Sequence, residues 1–221
     1  MKTFGIFKRL FACSIFLVVL VFASNAQDEE KSKSQYPRAS LGILAGYSSP
    51  IGEWKKHRFA PVNQFGGGFS IGGDLEIRLS PKAGIGIVVG YTQLDVSAWE
   101  GYAATQGDEV SASASALNIG ILLMPYLLDT GPSVLKLEIG AVLILPSGRE
   151  RTDRFTYEYD FMRSPGFGIL LGLEYEYFTG ESVSFTVGGG TMIVFSGVEY
   201  ADGLDNTLTL APVMGGVKFH F

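Results

Sequence analysis

The chain is poor in the residues that most often carry chemistry. Of its 221 residues, one is cysteine, Cys13, and two are histidine, His57 and His220. A lone thiol closes no intrachain disulfide, and two imidazoles without further thiols fall short of the ligand sets of transition-metal centres. The chain has no G-x-G-x-x-G, so a dinucleotide loop is excluded on its own signature. No basic stripe runs along it, and the 22 acidic residues outnumber the 17 basic ones, which argues against nucleic acid as a partner. After the first 22 residues no apolar run reaches the roughly 18 that mark a spanning helix. What remains is a glycine-rich, acidic chain with a positive mean hydropathy, an unusual combination for a secreted soluble domain.

The amino terminus has the layout of a secretory signal. Lys2, Lys8 and Arg9 precede an apolar stretch from Leu10 to Phe22, and Ser24-Asn25-Ala26 offers small residues to a peptidase, with Gln27 next. That stretch, about 13 residues, is short of the roughly 20 that cross a bilayer, so residues 1–26 read as a cleaved signal peptide. Leu10-Phe11-Ala12-Cys13 imitates a lipoprotein box, but most of the apolar run follows Cys13, and lipidation is not expected. Cleavage removes the only cysteine and three of the 17 basic residues; 14 basic and 22 acidic ones remain on 195 residues, a net charge of −8. Residues 27–38 are polar and aperiodic, a flexible lead-in. Residues 39–221 have the length of one domain.

Within that domain the period is two. Phe69, Ile71, Leu75, Ile77 and Leu79 share one face of a strand, interrupted only by Gly73; Ser70, Gly72, Asp74, Glu76 and Arg78 share the other. A helix would scatter these charges around its circumference, whereas a strand separates them. The pattern predicts eight strands, over residues 40–48, 66–79, 84–96, 112–128, 133–145, 166–178, 182–195 and 208–221. Residues 80–82, 129–132 and 179–181 are tight turns rich in Pro, Gly and Asp. The links near residues 49–65, 97–111, 146–165 and 196–207 are long. The expected fold is all-β: an eight-stranded, antiparallel, up-and-down transmembrane β-barrel with short periplasmic turns, long extracellular loops and both termini in the periplasm.

Glycines recur on the inner face (Gly42, Gly46, Gly84, Gly86, Gly90, Gly168, Gly172, Gly188 and Gly216), as a bore barely wide enough for side chains requires. Tyr47, Tyr91, Tyr126, Tyr175, Tyr177, Phe219 and Phe221 lie near strand ends, the places of interfacial aromatic girdles. Pro125 and Pro212 each remove a ladder donor from a strand. The apolar phase also slips at Pro212, from Leu208 and Leu210 to Val213 and Val217, which predicts a bulge there. A soluble lipocalin-like barrel would need the apolar face turned inward and Asp74, Glu76, Arg78, Glu174 and Glu176 on a solvated outer face.

With Ser24-Asn25-Ala26-Gln27, the glycine-rich alternating strands and the ending Phe219-His220-Phe221, the chain resembles the small outer-membrane barrels of OmpA/OmpX type. More broadly it resembles the "outer membrane protein β-barrel domain" or porin-like proteins common in Bacteroidota. The resemblance covers residues 39–221 and implies architecture rather than a single function, since such proteins include structural, adhesive, pore-forming and enzymatic members. It also implies that the terminal aromatic strand, with Phe219 and Phe221, is the signal read by the barrel-assembly machinery, and that outer-membrane lipid and lipopolysaccharide are the surroundings of a monomer.

Projecting the strands onto a barrel gathers Asp74, Glu76, Arg78, Lys136, Glu138, Glu174, Glu176, Lys218 and His220 in the periplasmic half of the lumen. A charge facing lipid at that depth would cost up to about 2–4 kcal/mol, so these side chains are expected inside. Two readings stand: a plug that holds strand register, or a gate whose exchanging ion pairs admit ions or very small solutes. Trp54, Lys55, Lys56, His57 and Arg58, in the first long link, are either a solvated loop or a contact for lipopolysaccharide phosphate. The third link carries Arg151, Arg154, Phe155, Tyr157, Tyr159 and Phe161, which suit a surface partner or inward packing over the mouth. Asp202 and Asp205 flank Gly203 without the spacing of a calcium loop.

Barrel enzymes that modify lipid A resemble a Ser/His/acid constellation near the outer leaflet. This chain has His57 alone on that side and no His-x-Ser, so no catalytic residue, cofactor or metal is assigned. The expected role is envelope structure or surface interaction, with a gated channel as the alternative and lipid A modification a distant third.

Overall fold

The computed structural model describes residues 39–51, 62–98, 110–152, 157–162, 165–196 and 208–221. Eight strands form the barrel: β1 (Ala39–Ile51), β2 (Gly68–Ser80), β3 (Ala83–Leu94), β4 (Val110–Asp129), β5 (Ser133–Thr152), β6 (Gly166–Phe178), β7 (Val183–Ser196) and β8 (Leu208–His220). Each pairs antiparallel with its neighbours in sequence, and β1 pairs with β8 from Ser40↔His220 to Ile51↔Thr209, closing the sheet. The ends of the barrel meet in two backbone hydrogen bonds, Ala39 N to Phe221 O at 3.2 Å and Phe221 N to Ala39 O at 3.0 Å. A closed sheet has no edge to template a second chain.

Alternation decides which side chains go inside. Ser40, Ser48, Ser70, Asp74, Glu76, Thr92, Glu174, Glu176, Ser184, Thr186 and Lys218 are buried, while Leu41, Ile43, Phe69, Ile71, Ile87, Ile121, Leu171, Phe185 and Val213 are exposed on the outer face. Ile121 is 70 % exposed and Phe167 63 %. This polarity is the inverse of a soluble barrel's, so the lipocalin-like alternative fails. An apolar face of this extent is stable against lipid and a liability in water.

Three expectations need correction. No bulge occurs at Pro212: β8 keeps one register against β1 throughout and against β7 on both sides of the proline. The missing N–H only interrupts the β7–β8 ladder, which has no pair between Gly189↔Val213 and Met192↔Leu210. The apolar phase slips because the lumen changes character: Leu210 is buried inside, as are Ile144, Val194 and Met192 on other strands. Among the barrel pairs the register shifts elsewhere: near the other proline, between Tyr126 and Leu128 against β5, between Arg78 and Ser80 against β3, and between Val194 and Ser196 against β6.

Tyr126 is not part of a girdle either. It shares the inward parity of Leu122 and Met124, and its hydroxyl is bonded in the lumen. Tyr47, Tyr91, Tyr175, Tyr177, Phe219 and Phe221 do face outward.

Finally, the third link is partly strand. β5 continues to Thr152, pairing with β4 and with a short strand, Tyr157–Met162. Arg149, Glu150 and Arg151 are too polar for lipid, which hid this extension from a hydrophobic pattern; a ladder beyond the apolar belt needs no such pattern. A second small sheet pairs Val62–Phe65 with Val96–Ala98.

Replacing Ile87 or Ile121, which face each other on the outer surface, by Arg is expected to cost about 2–4 kcal/mol. Equilibrium urea unfolding of the barrel refolded into phospholipid vesicles measures it. Unchanged midpoints for both variants would contradict a lipid-facing belt.

Candidate functional site

The charged residues of the lumen converge at the end that carries the three short turns. Strand parity alone brings them inward: Asp74, Glu76 and Arg78 on β2, Lys136 and Glu138 on β5, Glu174 and Glu176 on β6, and Lys218 and His220 on β8. Glycines opposite them leave the room. A Cβ at Gly42 would collide with the Asp74 carboxylate, and one at Gly84 would press on the Tyr126 hydroxyl.

Two ammonium groups organise the cluster. Lys218 Nζ, fully buried, lies 2.8 Å from Asp74 Oδ2, 3.3 Å from Glu76 Oε2 and 2.8 Å from Glu174 Oε1. Lys136 Nζ lies 2.6 Å from Glu76 Oε2 and 3.2 Å from Glu174 Oε1, and also pairs with Glu176. Glu76 and Glu174 are thus shared between both cations, which ties β2, β5, β6 and β8 across the bore. Each ammonium has three carboxylate partners, matching its three donors. Buried ions are tolerated when paired and hydrogen-bonded in this way.

Neighbours complete the network. Tyr126 donates to Glu76 Oε1 at 2.7 Å, and the Arg78 guanidinium lies over its ring, 4.5 Å from the centroid. Arg78 caps the turn, donating to Ser80 O and Pro81 O, and pairs with Asp129 at 2.8 Å. Glu138 contrasts with the rest, for its carboxylate makes no hydrogen bond or ion pair with a described residue.

Three carboxylates, from Glu76, Glu174 and Glu176, offer oxygens within 4.8 Å of one another, a spacing that could hold a metal ion. Lys136 Nζ already pairs with all three and supplies the positive charge there.

Ser184, His220 and Glu176 also meet. His220 Nε2 is 2.8 Å from Ser184 Oγ and 3.0 Å from Glu176 Oε1, and Ser184 donates to that same carboxylate. A hydrolytic relay needs the acid on the imidazole nitrogen opposite the serine. Here both partners use Nε2, and Ser184 is fully buried. The trio is a closed hydrogen-bonded triangle, not a nucleophile with its base.

Above the ions the lumen is lined differently. Ser48, Ser70 and Thr92 form a hydroxyl chain across β1, β2 and β3, with spacings of 2.6 and 2.9 Å. Beyond it the interior is aliphatic, with Ile144, Val194 and Leu210 buried. Two small cavities, of about 70 and about 50 Å³, remain in between.

No family model matches the sequence, and no curated protein matches it. Among solved structures, the chain is similar to a major outer membrane protein from Thermus thermophilus, with a TM-score of 0.51 and 14% identity over 83% of this chain and 99% of that one. Neisserial surface protein A gives 0.48 and 16% over 83% and 97%. OprG from Pseudomonas aeruginosa gives 0.48 and 14% over 84% and 97%. The chain has the fold of a small outer-membrane β-barrel. At such identities the likeness is one of fold alone, and the lumen must be read from its own residues.

All nine lumen residues singled out from sequence lie on the inner face, and all but Glu138 have partners in the network. Sequence reasoning missed Tyr126, Ser184 and Asp129. Parity would have found Ser184, which precedes Phe185 on a strand whose outer residues are apolar; Tyr126 was hidden by its aromatic character. Trp54, Lys55, Lys56, His57 and Arg58 lie outside the described residues, as do the signal peptide, the lead-in, Arg154, Phe155, Asp202 and Asp205.

Removing one ammonium leaves carboxylates buried without their cation. Lys218→Met is expected to destabilise the folded barrel by about 3–5 kcal/mol, and Tyr126→Phe by about 1–3 kcal/mol, read as shifts of the urea midpoint in vesicles. A Lys218→Met barrel as stable as the parent would mean that the network does not hold the strands together.

Proposed function

We propose that the protein is an integral outer-membrane barrel with a plugged lumen, serving envelope structure or surface interaction and not solute passage. The observation that carries this reading is the pair of ammonium groups bridged by Glu76 and Glu174, which links four strands across the bore. The apolar outer face supports a lipid environment, and the fold shared with the Thermus outer membrane protein supports the outer membrane as the place. Closure of the sheet by a single chain supports a monomer.

Its partners are outer-membrane lipid, the lipopolysaccharide that Trp54 to Arg58 would contact, the assembly machinery, and a surface partner reached through the segments opposite the short turns. The Ser184–His220–Glu176 triangle is not arranged as a hydrolytic relay, which supports the reading of a non-enzymatic role.

The sharing of carboxylates favours a second reading. Lys136 and Lys218 have Glu76 and Glu174 in common, so their ion pairs could exchange without stranding a charge, as a gate for ions would require.

Single-channel recording of the refolded barrel in a planar bilayer, after a gel-shift check of folding, separates the two. The plugged barrel is expected to stay silent at all salt concentrations. Discrete, salt-dependent steps altered by Arg78→Ala or Lys136→Ala would overturn it in favour of the gated channel.

A further inference from the structure

Charge in the lumen does not balance. Among the described residues, Asp74, Glu76, Glu138, Glu174 and Glu176 face two ammonium groups and His220, while Arg78 pairs with Asp129 at the rim. Even with His220 protonated, the cluster keeps an excess of negative charge, with Asp74, Glu76, Glu174 and Glu176 buried and Glu138 half-buried. A buried, uncompensated carboxylate is among the costliest groups a fold can carry.

The excess is localised. Lys136 draws on Glu76, Glu174 and Glu176, and Lys218 on Asp74, Glu76 and Glu174. Glu138 receives neither. Asp74 is more than nine-tenths buried, and its second oxygen, Oδ1, has no hydrogen-bond partner.

These two residues line the same cavity of about 70 Å³, together with Glu174, Thr186 and the aliphatic side chains of Leu44 and Leu122. The cavity exists because side chains are missing: Gly188, Gly189 and Gly190 form part of its wall, beside the place where the β7–β8 ladder lapses opposite Pro212. Liquid water takes about 30 Å³ per molecule, so the space suits about two particles of that size.

We propose that this cavity is a binding site for one monovalent cation, held by the carboxylates of Asp74 and Glu138 and sharing the space with a water molecule. The size of the space selects the valence. Mg²⁺ needs about six oxygens in near-octahedral array and Ca²⁺ about six to eight, more than a space for about two water-sized particles can gather around one ion; its polar side chains are Asp74, Glu138, Glu174 and Thr186. Glu174 is already drawn to both ammonium groups. The bound cation offsets the charge of Glu138, which has no ion pair with Lys136 or Lys218, and lowers the excess of the lumen by one.

The full chain refolded into phospholipid vesicles tests this. Its urea midpoint is compared in NaCl and in N-methyl-D-glucamine chloride, whose cation is too large for the cavity, at one pH and one ionic strength. Sodium is expected to raise the midpoint saturably, on the order of 0.5 M at ten times the dissociation constant. Glu138→Gln is expected to abolish the difference between the salts, and Asp74→Asn, as the second variant, to weaken it. Glu181→Gln, on an exposed turn, retains it.

Equal midpoints in the two salts overturn the proposal. So does a sodium effect that survives Glu138→Gln. If Glu138→Gln changes only the pH slope of stability, a proton balances the charge and the cation site is wrong. A larger rise in MgCl₂ than in NaCl overturns the valence. In crystals soaked with rubidium, an anomalous peak between Asp74 and Glu138 is expected; a peak elsewhere in the lumen overturns the assigned ligands.

Discussion

Everything inside this barrel depends on Lys218 and Lys136 reaching into one cluster of carboxylates. An eight-stranded barrel has a bore that side chains just fill, and once charged groups occupy it they must satisfy one another. Glu76 and Glu174, each shared by both lysines, make the satisfaction mutual: neither lysine can be removed without leaving carboxylates short of a partner. The strands that supply them, β2, β5, β6 and β8, lie at positions around the bore that backbone ladders alone do not join, except for the β5–β6 pair. The network is the cross-brace of the barrel, and it explains why the glycines opposite it, Gly42 and Gly84 among them, carry no side chain.

The same constraint divides the lumen along its axis. At the short-turn end the ions, Tyr126, Ser184 and His220 make polar contacts, with Met124 and Val134 buried among them. Further along, a hydroxyl chain from Ser48 through Ser70 to Thr92 gives way to Leu210, Ile144 and Val194. A water-filled channel would ask for polar walls throughout. Here one part of the lumen is crossed by ion pairs and another is lined by aliphatic side chains, with small cavities beside them.

Much of the fold was legible in the chain, because a membrane barrel writes its register into alternation. Lipid on one side and a crowded polar bore on the other force opposite residue types at successive positions, and β6 ends where the pattern says it should. The reading failed wherever one of those two solvents changed. At Leu208 and Leu210 the apolar phase runs opposite to that of Val213 because the lumen beside Leu210 is apolar, which imitates a bulge. From Pro146 to Thr152 the sequence turns polar, so alternation of the lipid kind ceases while backbone pairing continues. Tyr126 looked like an interfacial anchor by composition, although its parity placed it against Glu76.

From its sequence alone, this protein is an all-β barrel with lipid outside and a set of buried charges gathered at one end. Those facts follow from local periodicity, which needs no knowledge of which strand lies beside which. Only the closed structure decided the partners: that two lysines divide four carboxylates among them, that Glu138 is left over, that Ser184 and His220 join Glu176, and that Arg78 turns to Asp129. Such pairings depend on distances between residues as far apart in the chain as Glu76 and Lys218, which register, strand tilt and the width of the bore set together.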